Sequence, residues 1–93
     1  MQATSYDFFA SREKQAFQVS AGDKSFEFTL TEVRRRAPVE GQLDNPYTLY
    51  FQCPALLPQR TYSFQAPQAE AVEIFVVPVA READGFLYEA VFN

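Results

Sequence analysis

Ala16-Phe17-Gln18-Val19-Ser20-Ala21-Gly22-Asp23-Lys24-Ser25-Phe26-Glu27-Phe28-Thr29-Leu30 alternates apolar and polar side chains, stops at a glycine, and alternates again. A period of two belongs to an extended strand with one buried face, whereas an amphipathic helix repeats at about 3.6 residues. Ala21-Gly22-Asp23 supplies a residue able to take a positive φ, so the stretch predicts a β-hairpin. In its second arm Phe26, Phe28 and Leu30 share one face and Ser25, Glu27, Thr29 and Thr31 the other, which makes one side dry and one side wet. Val33 falls on the wrong parity. A bulge or strand end near Thr31-Glu32 would restore it, and Arg34-Arg35-Arg36 then reads as an exit into solvent.

Outward from this hairpin the same logic recurs. Ser5 to Arg12, with Tyr6, Phe8 and Phe9, is too short for periodicity to decide and reads as a short helix or turn closing one end of the core. Residues 37–46 hold Pro38, Gly41, Asp44, Asn45 and Pro46 and form the longest loop. Tyr47 to Cys53 gives a third strand, with Tyr47, Leu49, Phe51 and Cys53 inward and Thr48, Tyr50 and Gln52 outward, ended by Pro54. Thr61 to Ala66 alternates as a fourth, stopped by Pro67. Val72 to Val79 is nearly continuous in β-formers, so the expectation is a strand covered on both faces, with Pro78 at a bulge or an unpaired position. Glu82-Ala83-Asp84-Gly85 turns the chain, and Phe86 to Phe92 is the sixth strand. The fold class expected is all-β: a small antiparallel six-stranded barrel or sandwich with a short N-terminal helix or turn, residues 1–93 forming a single domain.

Composition bounds the chemistry. The chain has 93 residues, 47% of them hydrophobic, with ten Phe and five Tyr, enough for one core without a staple. Cys53 is the only cysteine and histidine is absent, so Ser-His-Asp and Cys-His nucleophilic systems, His-ligated metals, a Cys-based zinc site and an internal disulfide are all excluded. No cofactor is expected. Twelve Asp and Glu against eight Lys and Arg leave a net charge of −4, which disfavours a phosphate polyanion as partner. The first residues lack a basic and an apolar region, and no run approaches the ~18 apolar residues of a membrane span. A cytoplasmic protein without membrane or nucleic-acid partner is the expectation.

The remaining candidate chemistry is thin. Lys24-Ser25 point to opposite faces of a strand, which argues against a Ser-Lys dyad. Asp84-Gly85 is a turn, since a calcium loop needs ligands spread over a dozen positions. Glu89 lies among bulky neighbours; a structural partner such as Arg60 or Arg81 is the better reading than catalysis. Cys53, inward and before Pro54, reads as a small buried hydrophobe. The expected function is therefore not enzymatic. A compact β domain offers strand edges and exposed aromatics for a protein partner or for self-association. The candidate partner-binding residues are Arg34, Arg35, Arg36, Tyr50, Leu56 and Leu57, because Tyr and Arg anchor interfaces and two adjacent leucines between Pro54 and Pro58 are hard to hide together. The alternative is a small-ligand binder that uses an aromatic-lined barrel interior or mouth.

The second half carries a resemblance. Leu49-Tyr50-Phe51, Leu56 to Phe64, Ile74 to Val79, Asp84-Gly85 and the ending Tyr88-Glu89-Ala90-Val91-Phe92-Asn93 resemble a family of small bacterial proteins of unknown function that end in a Tyr-Glu-Ala-Val-Phe-Asn-like strand. The first half matches loosely, through Phe17-Gln18-Val19 and Leu30 to Val33. Cys53 and Arg60 stand where that family often has glycine. The resemblance implies no enzyme and no cofactor, and its members are often encoded near phage-tail-collar-like proteins. It therefore implies an accessory role in assembling a phage-tail-like or fibre protein.

Overall fold

The computed structural model describes residues 6–35 and 46–92. One short helix, α1 (Tyr6–Ala10), precedes six strands: β1 (Ala16–Ala21), β2 (Lys24–Arg35), β3 (Tyr47–Cys53), β4 (Arg60–Gln65), β5 (Ala71–Glu82) and β6 (Gly85–Phe92). All neighbours are antiparallel, and the order β1-β2-β3-β6-β5-β4 closes into a barrel. The Ser5 position and most of the long loop, Arg36 included, lie outside the described residues.

The topology consists of two three-stranded meanders, β1-β2-β3 and β4-β5-β6, joined by β3 against β6 and β1 against β4. Their middle strands match: β2 and β5 each run twelve residues. Each pairs its first half with the preceding strand and its second half with the following one. Both shift register midway, between Leu30 and Glu32 in β2 and between Pro78 and Ala80 in β5. A bulge adds bend and twist, which lets one strand serve two walls of a closing barrel. The parity break at Thr31-Glu32 is thus a real bulge, and Pro78, which has no N–H to give a ladder, sits at the other.

Strand β5 corrects one sequence expectation. Val72, Ile74 and Val76 are buried, but Glu73 and Phe75 between them are exposed, so the strand is covered on one face only. Nothing among the described residues packs on the outside of the barrel there, and an apolar outward residue reads the same in sequence as an inward one.

The interior is filled by rings. Phe28 meets Tyr88 at 4.8 Å and Phe64 at 5.2 Å between centroids, Phe51 meets Phe64 at 4.9 Å, and Phe17 meets Phe51 edge-on at 5.6 Å. Offset and edge-to-face pairs of this kind add to the burial of large apolar surface. At one end Phe9 of α1 packs against Phe17, Tyr47 and Phe92, and Tyr47 stacks on Phe92 at 4.8 Å. A five-residue helix has no stability of its own, so α1 exists because Phe9 is anchored in the core. The segment after it covers the free edge of β2: Lys14 N donates to Leu30 O at 2.6 Å, Leu30 N to Gln15 O at 2.9 Å, and Val33 N to a Glu13 carboxylate oxygen at 3.3 Å. This blunts an edge that would otherwise invite pairing with another chain.

At the other end Tyr88 holds the connection between β3 and β4. Its Oη accepts from Leu57 N and donates to Ala55 O, both at 2.7 Å, while Tyr62 Oη donates to Pro58 O at 2.6 Å. Burial pushes the Tyr88 phenol up, against the opposing pull of the Leu57 N–H.

Candidate functional site

Four strands, β2-β3-β6-β5, present an outer face on which the ladder registers align side chains into rows. Glu32 is opposite Tyr50, Tyr50 opposite Glu89, and Glu89 opposite Val77, so these four cross the face in one line. On one side of it Arg34 is opposite Thr48 and Thr48 opposite Val91. On the other side Gln52 is opposite Leu87 and Leu87 opposite Ala80. Residues directly across from one another on a ladder lie within side-chain reach.

Tyr50 is the centre of this face. Its hydroxyl donates to Glu89 Oε2 at 3.1 Å, its backbone carbonyl accepts from Thr31 Oγ1 at 3.1 Å, and the Arg34 guanidinium lies 5.2 Å from its ring centroid. Arg34 is itself forked onto Glu32, through Nε at 3.0 Å and Nη2 at 3.3 Å. Burial, then the Glu89 hydrogen bond and charge, hold the Tyr50 phenol above its usual value, with Arg34 pulling the other way. The Glu32 hydrogen bond and charge raise Arg34, which stays cationic at any accessible pH. A groove of about 370 Å³ runs over this constellation, lined by Thr31, Glu32, Arg34, Tyr50, Glu82 and Leu87.

The sequence-derived candidates fare unequally. Tyr50 and Arg34 come together as described. Arg35 is exposed but turned toward α1, its guanidinium 4.5 Å from the Tyr6 ring centroid. Arg36 lies outside the described residues. Leu56 is 60% exposed, as expected for one of two adjacent leucines, but Leu57 is 9% exposed and belongs to the core. Leu57 is therefore corrected from surface to core: its N–H donates to the buried Tyr88 hydroxyl and its side chain joins the core cluster. The candidates also do not form one patch. Arg34 and Arg35 pair with the start of β3 and Leu56 follows its end, about 20 Å along a strand of this length.

Glu89 pairs with the Tyr50 hydroxyl rather than with Arg60 or Arg81, whose guanidinium groups lie 5.7 Å from the Tyr62 and Phe86 ring centroids respectively. Cys53 is buried, and burial raises its thiol, so it is no ready nucleophile. Among the described residues no group of three or more His, Cys, Asp or Glu is arranged to hold a metal ion, and no helix is long and apolar enough to cross a membrane.

Sequence reasoning missed the apolar part of the outer face. Phe75 and Val91 are each 52% exposed and Val79 is 47% exposed. The signal was present in Phe75, which alternates with the buried Ile74 and Val76, but a continuous apolar run hid it.

No curated protein and no solved structure matches the chain. A family model described as a domain of unknown function, DUF6916, matches residues 4–92. The all-β barrel, its short N-terminal helical piece and its filled core are accordingly the architecture of this chain as a member of that family, and the chain belongs to DUF6916.

Proposed function

We propose that this domain is a non-enzymatic protein-interaction module whose binding surface is the outer face of β3, β6 and β5. The observation that carries this reading is the exposure of Phe75, Val79 and Val91 on strands that turn Val72, Ile74, Val76, Tyr88 and Ala90 into the core. Large apolar side chains left half-exposed, with no element among the described residues laid over them, favour a partner when they adjoin an aromatic and charged rim. Here the rim is Tyr50, Arg34 and Glu89. The resemblance of the C-terminal half supports the finer reading, an accessory role in assembling a phage-tail-like or fibre protein. The barrel interior, packed with Phe17, Phe28, Phe51, Phe64 and Tyr88, gives the small-ligand alternative no support.

The test is quantitative pull-down of the tagged chain from the cells that make it, beside the double variant Phe75→Ser, Val91→Thr. Both sites are outward, so the expected variant melts cooperatively near the parent temperature and loses at least about ten-fold in partner recovery. Equal recovery by parent and variant refutes the proposed face.

A further inference from the structure

Within the groove over Tyr50 the charges do not balance. Glu32 and Glu82 line it and Glu89 adjoins it through Tyr50, three carboxylates against the Arg34 guanidinium and the Lys14 ammonium, which donates to Thr31 O at its edge at 3.1 Å. Arg34 is engaged by Glu32, and among the described residues Glu82 and Glu89 have no cationic side chain within salt-bridge distance. The floor is the Tyr50 ring, fixed in orientation by its hydrogen bond to Glu89, and Leu87 supplies an apolar wall. One cation already uses this floor: the protein's own Arg34 lies over the ring while forking onto a carboxylate.

We propose that this groove receives an arginine or lysine side chain of the protein partner. The proposal rests on the interaction-module reading and names the chemistry of that partner. The aliphatic stem of the incoming side chain lies along Leu87 and the edge of Tyr50. Its head group reaches Glu82 on one side and the Glu89 carboxylate, shared with the Tyr50 hydroxyl, on the other. Long basic side chains bury their stems on apolar surface while the charge stays with oxygen. An acidic partner is disfavoured, because the three carboxylates outnumber the two cations there and Arg34 is already held by Glu32.

The probe is the blocked pentapeptide Gly-Arg-Gly-Arg-Gly, titrated into the isotopically labelled full chain and followed by amide chemical shifts. Its controls are the same peptide with citrulline for arginine and with glutamate for arginine. The arginine peptide is expected to shift the amides of Thr31, Glu32, Arg34, Tyr50, Glu82 and Leu87 saturably, with affinity falling as salt is raised. The citrulline peptide, of the same shape without the charge, is expected to bind at least about ten-fold more weakly. The double variant Glu82→Gln, Glu89→Gln keeps an acceptor for the Tyr50 hydroxyl and is expected to lose about the same factor while its spectrum stays folded. Saturable shifts elsewhere, equal binding of the citrulline peptide, preference for the glutamate peptide, or no saturable binding would each overturn the proposal. Those results leave the interaction module standing if the Phe75, Val91 variant still loses its partner, so the two failures are separable.

Discussion

Replacing Tyr88 by phenylalanine removes one oxygen and keeps the ring that packs on Phe28. That oxygen is the partner of both Leu57 N and Ala55 O, each at 2.7 Å, at a site where Leu57 is in the core. A buried polar group left without a partner costs about 1–3 kcal/mol, so two orphaned groups set the upper range. Ala55 is only half-buried and its neighbour Leu56 is exposed, so water recovers part of the carbonyl's loss. The expected destabilisation is about 2–3 kcal/mol, dominated by the Leu57 N–H. For a domain of this size each kcal/mol lowers Tm by roughly 4–8 °C, giving a fall of about 10–20 °C. Urea denaturation followed by circular dichroism is the assay, with an unchanged m-value as the sign that the barrel itself is intact. Tyr62→Phe, which frees Pro58 O in the same connection, is expected to combine with Tyr88→Phe non-additively by about 0.5 kcal/mol or more. A loss below about 0.5 kcal/mol for Tyr88→Phe would refute the view that this hydroxyl pins the connection.

Gly85 and Gly22 both have positive φ, +149° and +66°, yet they should respond differently to alanine. A Cβ on Gly85 would lie 2.5 Å from Cys53 O and 2.8 Å from Pro54 Cα, whereas one on Gly22 meets nothing within 4 Å. Gly22→Ala is expected to cost about 1 kcal/mol from backbone strain alone and Gly85→Ala at least about 3 kcal/mol, and similar melting temperatures for the two would contradict the close approach. Stability should fall at alkaline pH. Burial pushes the Tyr47 phenol up to about 12 and also raises Tyr50 and Tyr88, so the fold favours their neutral forms. This contribution is complete below the unfolded phenol value of about 10 and is lost as pH climbs from there through about 12. It amounts to about 2–3 kcal/mol for Tyr47, and melts that stay flat over that window would disprove its burial. Deleting residues 88–93 should abolish cooperative folding, because β6 is the strand that joins β3 to β5 and Tyr88 and Ala90 are core residues. A soluble truncate with a sharp melt would show the strand to be dispensable.

The sequence alone carried the strand count, the hairpin at Gly22, the bulge near Thr31-Glu32, the special position of Pro78 and the inward set Tyr47, Leu49, Phe51 and Cys53. These are local properties: side-chain parity along a strand and the missing N–H of proline act over a few residues and leave a direct trace in residue order. It also carried Tyr50, outward by parity in its strand, and Arg34, from the run Arg34-Arg35-Arg36 leaving β2, as surface candidates. What only the tertiary structure decided is non-local. Closure of the sheet depends on residues 18–20 of β1 meeting 63–65 of β4, a pairing no periodicity announces. The line Glu32, Tyr50, Glu89, Val77 exists only once four strands are in register, so the partner of Glu89 proved to be Tyr50 and not an arginine. Leu56 and Leu57 are equivalent in composition, and it is Leu57, whose N–H donates to Tyr88 Oη thirty-one residues further on, that is buried while Leu56 is exposed. Phe75 reads as core in an apolar run, and it faces outward because a barrel wall has one dry side and nothing among the described residues covers the other.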